Sequence, residues 1–201
     1  WGPRAPPPPP GPRPRGLPVG TAPAFAHKKK LRSWGRPPPP RPPPPRGPPP
    51  GAALLQRFDR DWQAARDAVA ARVPGGAQPP RVLFVLNHTG TQALVAGQRT
   101  AADAMIRYAG ARNAMQGFDH YKPLTTEALA AAAPDVVLIS DEGLAAVGGH
   151  AALLATPGFG ATPAGRARRV VSLDALFLLG FGPRLPLAVT TLHRRLSDAL
   201  A

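Results

Sequence analysis

The chain has 201 residues, contains no cysteine and carries a formal net charge of +14. Without cysteine, neither a disulfide framework nor a thiolate metal site can form. No apolar run approaches the roughly 18 residues that a membrane-spanning helix needs, and no segment has the pattern of a signal peptide.

The positive charge is concentrated in the first 50 residues. This quarter holds 21 of the 30 prolines and ten lysines and arginines, with no acidic residue. The other 151 residues carry 15 basic and 11 acidic side chains, an ordinary balance for a soluble domain. The high pI is therefore a property of the first segment, and we expect no nucleic-acid binding by the folded part.

We expect residues 1–50 to be a disordered, low-complexity segment with local polyproline II structure. Proline removes backbone donors, and the segment has few apolar residues to bury. Its PxxP patterns beside arginines, as in Pro37–Pro40 and Pro42–Pro45, are typical ligands of SH3 and WW domains. A further interpretation is that these residues come from a GC-rich gene read in the wrong frame or from a wrong start, since that would give a similar composition.

The first predicted element is an amphipathic helix over Leu54–Val73. Its apolar residues recur at spacings of three and four: Leu54, Leu55, Phe58, Trp62, Ala65, Val69 and Val73. Pro74 and Gly75 end it. A helix with this apolar stripe needs a surface on which to pack.

A strand, a loop and a helix follow. The apolar run Arg81–Leu86 predicts a strand buried on both faces, and Asn87–Gln98 predicts a polar loop with glycines. Thr100, with Asp103 three residues on, predicts a helix start of the capping-box type. That helix ends at Gly110.

The rest of the chain repeats the alternation of strands and helices. Asp119–Pro123 predicts a polar turn. Further strands are predicted at Val136–Ile139 and Arg169–Leu173, and helices from near Thr125 to Ala133 and at Glu142–Val147, His150–Ala155, after Asp174 and at Pro186–Leu200. The alternation predicts an α/β three-layer sandwich with a mainly parallel sheet.

Three loops are expected to meet at the carboxyl edge of this sheet, where ligands bind in open α/β folds: Asn87–Gln98, Asp119–Lys122 and Ser140–Gly143. His88 directly follows a buried strand and is a candidate either to ligate iron or to form a hydrogen bond with a ligand. Tyr121 and Lys122 are candidates to offer a ring and a cation to an aromatic, acid-bearing ligand.

The motifs of common enzymes are missing. Ser140 lacks the GxSxG surroundings of a hydrolase nucleophile, and Gly90 and Gly97 do not form a GxGxxG or phosphate-binding loop. The five histidines show no metal-ligand spacing. We therefore expect no catalytic residues and no enzymatic activity.

Several linked motifs within Arg81–Pro186 are similar to those of a known family: RVLFVLNHTGTQALVAGQRTAADAMI, ARNAMQGFDHYKPLTTEALAAAAPDVVLIS, TPGFGATPAGRARRVV and DALFLLGFGPRLP. Together they resemble the C-terminal lobe of periplasmic haem-binding proteins of bacterial ABC importers, which have a class III, TroA-like fold. Such proteins hold haem between two α/β lobes joined by one long helix.

The resemblance implies a domain organisation and a function. Residues 1–50 stand where the family has its first lobe, which usually supplies a tyrosine to the haem iron. Residues 51–76 would be the remnant of the connecting helix, and residues 77–201 the C-terminal lobe. The implied function is haem binding and delivery to a membrane permease from the periplasm, in a truncated, one-lobed form. The alternatives are transport of cobalamin or an iron siderophore, or an interaction protein acting through its proline-rich arm.

The resemblance also implies site residues. His88, in the Asn-His-Thr-Gly segment, matches a position where some relatives have a histidine facing the cleft, and it is the predicted iron ligand. Tyr121 and Lys122 match the family's Gly-Tyr-Lys/Arg-Pro turn. His120 lies beside them and is a further predicted haem contact.

Overall fold

The structure is a computed structural model that describes residues 50–72, 78–89 and 92–201. The disorder predicted for residues 1–50, and the SH3- and WW-type motifs in that segment, lie outside these ranges except at Pro50, where a helix begins instead. Within them, no helix is both long enough and apolar enough to cross a membrane.

The described ranges contain six strands and eight α-helices. The strands are β1 Arg81–Thr89, β2 Gln92–Ala96, β3 Arg112–Asn113, β4 Tyr121–Pro123, β5 Val136–Ser140 and β6 Val170–Leu173. The helices are α1 Pro50–Arg72, α2 Ala101–Tyr108, α3 Thr126–Ala132, α4 Asp141–Val147, α5 His150–Ala155, α6 Pro163–Arg166, α7 Ala175–Leu179 and α8 Leu185–Leu200, with a 3-10 turn at Phe159–Ala161.

The strands form one mixed sheet in the order β4-β2-β1-β5-β6. β5 pairs in parallel with β1 and β6, and β3 pairs in parallel with the start of β1. β2 pairs antiparallel with both β1 and β4. The predicted α/β sandwich is confirmed, and an antiparallel extension that was not predicted is added at one side of the sheet.

Helices cover both faces of the sheet, so each face has its own hydrophobic core. Val82 and Phe84 of β1 point into a first core, which also receives α2, α7, α8 and the second half of α1. Leu83 and Val85 point into a second core, which receives α3 to α6. All four residues have no exposed surface. This two-sided burial is the reason that the strand is a continuous apolar run in the sequence.

Polar side chains cap several of the helices. Thr100 Oγ1 accepts from Asp103 N–H at 3.1 Å, and Thr125 Oγ1 accepts from Ala128 N–H at 3.1 Å. Asp174 Oδ1 accepts from Phe177 N–H at 2.7 Å. The helix starts predicted at these positions are confirmed, because an N-cap bond depends only on residues one turn apart.

Helix α1 confirms the predicted helix from Leu54 to Arg72, the last described residue of that range, but it packs along only part of its length. Ala65 and Val69 are buried, and Trp62 packs against the first core. Near the start of α1, Leu54 is 52% exposed and Leu55 is 64% exposed. The apolar stripe therefore extends beyond the surface that this domain offers to it.

Candidate functional site

The segment that carries His88 is a strand, so the loop predicted over Asn87–Gln98 is wrong for residues 87–89 and 92–96. β1 continues to Thr89 and pairs with β2, with a bulge between Val85 and Asn87. His88 lies opposite Ala93 in this pairing. The polar residues Asn87, His88 and Thr89, which predicted a loop, form the last three positions of β1.

The expected polar turn at Asp119–Pro123 is also partly wrong, because its second half is strand β4. Lys122 lies opposite Val95 on the other side of β2 from β1. Its side chain is exposed, and its Nζ lies 5.0 Å from the centre of the Phe118 ring. Along β2, the partners of His88 and Lys122 are therefore two residues apart.

Ala93 and Val95, the β2 partners of His88 and Lys122, lie on one face of the sheet. Both are buried in the second core. Two residues along a strand and two strands across correspond to about 12 Å between the backbones of His88 and Lys122.

Tyr121 lies on the opposite face from Lys122. It pairs with Ala96, which belongs to the first core, and the Tyr121 ring packs half-buried against that core. Burial raises the pKa of its phenol above the ordinary value, so the hydroxyl stays neutral over the physiological range. The structure does not bring the Tyr121 ring and the Lys122 ammonium together.

His120 is separated from His88 along the sheet. It is exposed, its backbone is left-handed with φ 64°, and its carbonyl accepts from Gly97 N–H at 2.7 Å. Gly97 is four residues along β2 from Ala93, which is about 13 Å. The prediction that all three loops meet at one edge of the sheet is therefore wrong for Asp119 and His120.

The third predicted loop does lie at the carboxyl edge, directly after β5. Ser140 is buried and caps α4, where its Oγ accepts from Gly143 N–H at 3.0 Å. Asp141 and Glu142 are exposed in the first turn of that helix. The Ser140 hydroxyl thus has a structural role.

Hydrogen bonds from a buried side chain fix the end of β2, the strand that pairs with Lys122 of β4. The buried Asn113 donates from Nδ2 to Ala96 O at 3.0 Å and to Gly97 O at 3.1 Å. An ion pair between Arg99 and Asp119 joins the two segments. These contacts hold the end of β2 and the start of β4 in place, and β4 carries Lys122.

Two open cavities are relevant to the choice of site. One of about 340 Å³ borders Ala93, the residue opposite His88, and has an apolar floor that includes Leu129 and Phe159. A larger one, of about 580 Å³, lies between α1 and α8 and contains none of the predicted site residues. The smaller cavity is the better candidate for a ligand site, because it lies beside strands β1 and β2, which carry predicted site residues.

No group of three or more potential metal-binding side chains lies within the described ranges.

The family of the chain follows from comparison with known proteins. Residues 51–176, more than half of the chain, match the family model described as periplasmic binding protein. The chain belongs to this family. No curated protein matches it.

Solved structures of family members are similar to the folded domain. Periplasmic haem-binding protein RhuT from Roseiflexus sp. RS-1 is 43% identical with a TM-score of 0.69, and the match covers 75% of this chain and 57% of RhuT. A periplasmic haem-binding protein from Pseudomonas aeruginosa is 36% identical, with a TM-score of 0.63 and coverage of 73% and 53%. HutB of Vibrio cholerae is 34% identical, with a TM-score of 0.63 and coverage of 71% and 56%.

The chain thus spans a little over half the length of these relatives. The predicted resemblance to one lobe of the periplasmic haem-binding proteins is confirmed, and so is the α/β fold of that lobe.

One feature of the site was missed in the sequence. Phe118 lies under the Lys122 ammonium and against Gly97. Phe118 stands four positions before Lys122, and it faces Gly97 at the end of β2. The sequence shows this spacing, but only the pairing of β2 with β4 shows that it brings the ring under the ammonium.

Proposed function

We propose that this domain is one lobe of a haem-binding protein that serves an ABC importer, and that it is a carrier without enzymatic activity. The observation that carries the proposal is the 34–43% identity, over about three quarters of the chain, to proteins described as periplasmic haem-binding proteins. The permease partner and the periplasmic location are inferred from the family.

The proposed haem-facing surface is the outer part of the β1–β2–β4 segment. Haem needs an iron ligand, apolar contact with its ring and cations for its two propionates. His88 is the proposed iron ligand and Lys122 the proposed cation. Strand pairing sets their backbones about 12 Å apart, on the scale of one porphyrin.

The other two predicted contacts have weaker support from the geometry. Tyr121 packs against the first core, and His120 is bonded to Gly97, about 13 Å along β2 from Ala93. The proposal therefore rests on His88 and Lys122, and His120 provides the matched control.

The proposed domain organisation assigns residues 51–76 to the connecting helix and 77–201 to the lobe, with residues 1–50 as a separate tail. The exposure of Leu54 and Leu55 supports a connecting role for α1, since the described residues cover these apolar side chains only in part. The second half of α1 is anchored to the lobe through Trp62 and Val69.

The test is a haemin titration of the whole chain, followed by the Soret band. We expect the wild type to shift the Soret band, His88→Ala to lose that shift, and His120→Ala to keep it. If His120→Ala abolished the shift while His88→Ala left it unchanged, His88 would not be the iron ligand. If the wild type gave no shift at all, the haem proposal itself would fail.

A further inference from the structure

The Lys122 ammonium lies over an aromatic ring and has no carboxylate partner among the described residues. Its Nζ is 5.0 Å from the centre of the Phe118 ring, a distance at which the negative face of the ring attracts a cation. The four ion pairs found among the described residues all use arginine. The nearby Asp119 pairs with Arg99, so it is not the partner of Lys122.

The Phe118 ring is itself held in place by the end of β2. A Cβ at residue 97 would stand 2.5 Å from both Cδ2 and the carbonyl oxygen of Phe118, so only glycine allows this approach. Phe118 O accepts from Gln98 N–H at 2.8 Å, and the ring packs against the second core. The ring is therefore a fixed platform, whereas a lysine side chain alone is flexible.

We propose that Phe118 is a positioning residue, which holds the Lys122 ammonium ready for a carboxylate of the ligand. This inference rests on the proposed haem-binding function. The ring attracts the cation but offers it no oxygen acceptor, so its N–H donors stay available for a carboxylate. The pair would make the lobe select tetrapyrroles with free propionates over their esters.

The inference is tested by a double-mutant cycle of Phe118→Leu and Lys122→Met in the whole chain, with haemin and haemin dimethyl ester as the two ligands. We expect each single variant to weaken haemin binding by about 3- to 10-fold and to leave ester binding within about 2-fold. In the Lys122→Met background, Phe118→Leu should have no further effect, because the ring acts through the ammonium.

A second measurement covers the case in which Phe118→Leu does not fold. A fluorinated phenylalanine at position 118 keeps the shape of the ring but withdraws charge from its face. Like Phe118→Leu, this substitution should weaken the binding of haemin and leave the binding of its dimethyl ester nearly unchanged.

Two results would overturn the inference while leaving the proposed function intact. One is additive loss in the double variant. The other is equal loss for haemin and its ester, with either the leucine or the fluorinated ring. Absence of haemin binding by the wild type would instead contradict the proposed function and the inference together.

Discussion

The ion pair between Arg81 and Asp135 joins the starts of β1 and β5, the two central strands. Arg81 Nη2 lies 3.1 Å from Asp135 Oδ1, and Arg81 backbone N–H donates to Asp135 Oδ2 at 2.8 Å. Burial alone would raise the pKa of Asp135. The hydrogen bonds from Arg81 and the charges of Arg81 and Arg112 outweigh it and hold that pKa below its ordinary value of 3.8.

This lowered pKa predicts a loss of stability in acid. Because the folded protein holds the Asp135 proton more weakly than the unfolded chain, the pair stabilises the fold above pH 3.8 and is lost as the pH falls through the folded pKa. We expect Asp135→Asn to lower the free energy of unfolding by about 1–3 kcal/mol at pH 7 and to flatten its fall below pH 4.

Urea unfolding at pH 7 and pH 3 measures both effects. The matched control is Asp61→Asn, which breaks the exposed Arg57–Asp61 pair on α1 and should change stability by less than about 1 kcal/mol. Equal effects of the two variants would show that Asp135 does not hold the strands.

The N-caps could be predicted from the sequence, but the face occupied by each site residue could not. Thr100 and Thr125 act on backbone groups three residues away, so their role is visible locally. Tyr121 and Lys122 are neighbours in the sequence, yet β4 directs them to opposite faces. The opposite orientation of the two side chains becomes visible only when β4 pairs with β2. The residues of Asp119–Pro123 do not by themselves predict that pairing.

At the scale of elements, β5 is the best test of the core. Val137 has no exposed surface and lies between β1 and β6. We expect Val137→Ala to cost about 1–3 kcal/mol of unfolding free energy, from lost burial and the cavity left behind. Leu176→Ala is the control, because Leu176 is 77% exposed on α7 and should matter by only about 0.5 kcal/mol. Urea denaturation would rank the two, and the reverse order would be incompatible with this core.

The buried strands could be predicted from the sequence because continuous apolar runs require two-sided burial. The β1–β2 hairpin could not, for two physical reasons. Asn87 and His88 continue a strand with polar residues, and a bulge after Val85 breaks the simple alternation. β4 has only three residues, too few to show any period. Each of these strands exists because a neighbour supplies its hydrogen bonds.

At the scale of the whole molecule, the haem proposal depends on how much of the ligand one lobe can cover. The chain spans 53–57% of the length of the three relatives described above. Haem is flat, and tight binding requires burial of both faces. The proposed haem-facing surface on β1, β2 and β4 would contact one face of the ligand only.

The final prediction follows from this one-sided contact: the whole chain should bind haemin at least about 100-fold more weakly than intact RhuT of Roseiflexus. At about 25 cal/mol per Å², loss of about 110 Å² of apolar burial already gives that factor, and one face of a porphyrin is larger. Both proteins should be titrated at low and high salt, because the ten lysines and arginines of residues 1–50 attract propionates in a way that salt screens. Binding that survives high salt should depend on His88. Tight, single-site binding at high salt would show that one lobe suffices.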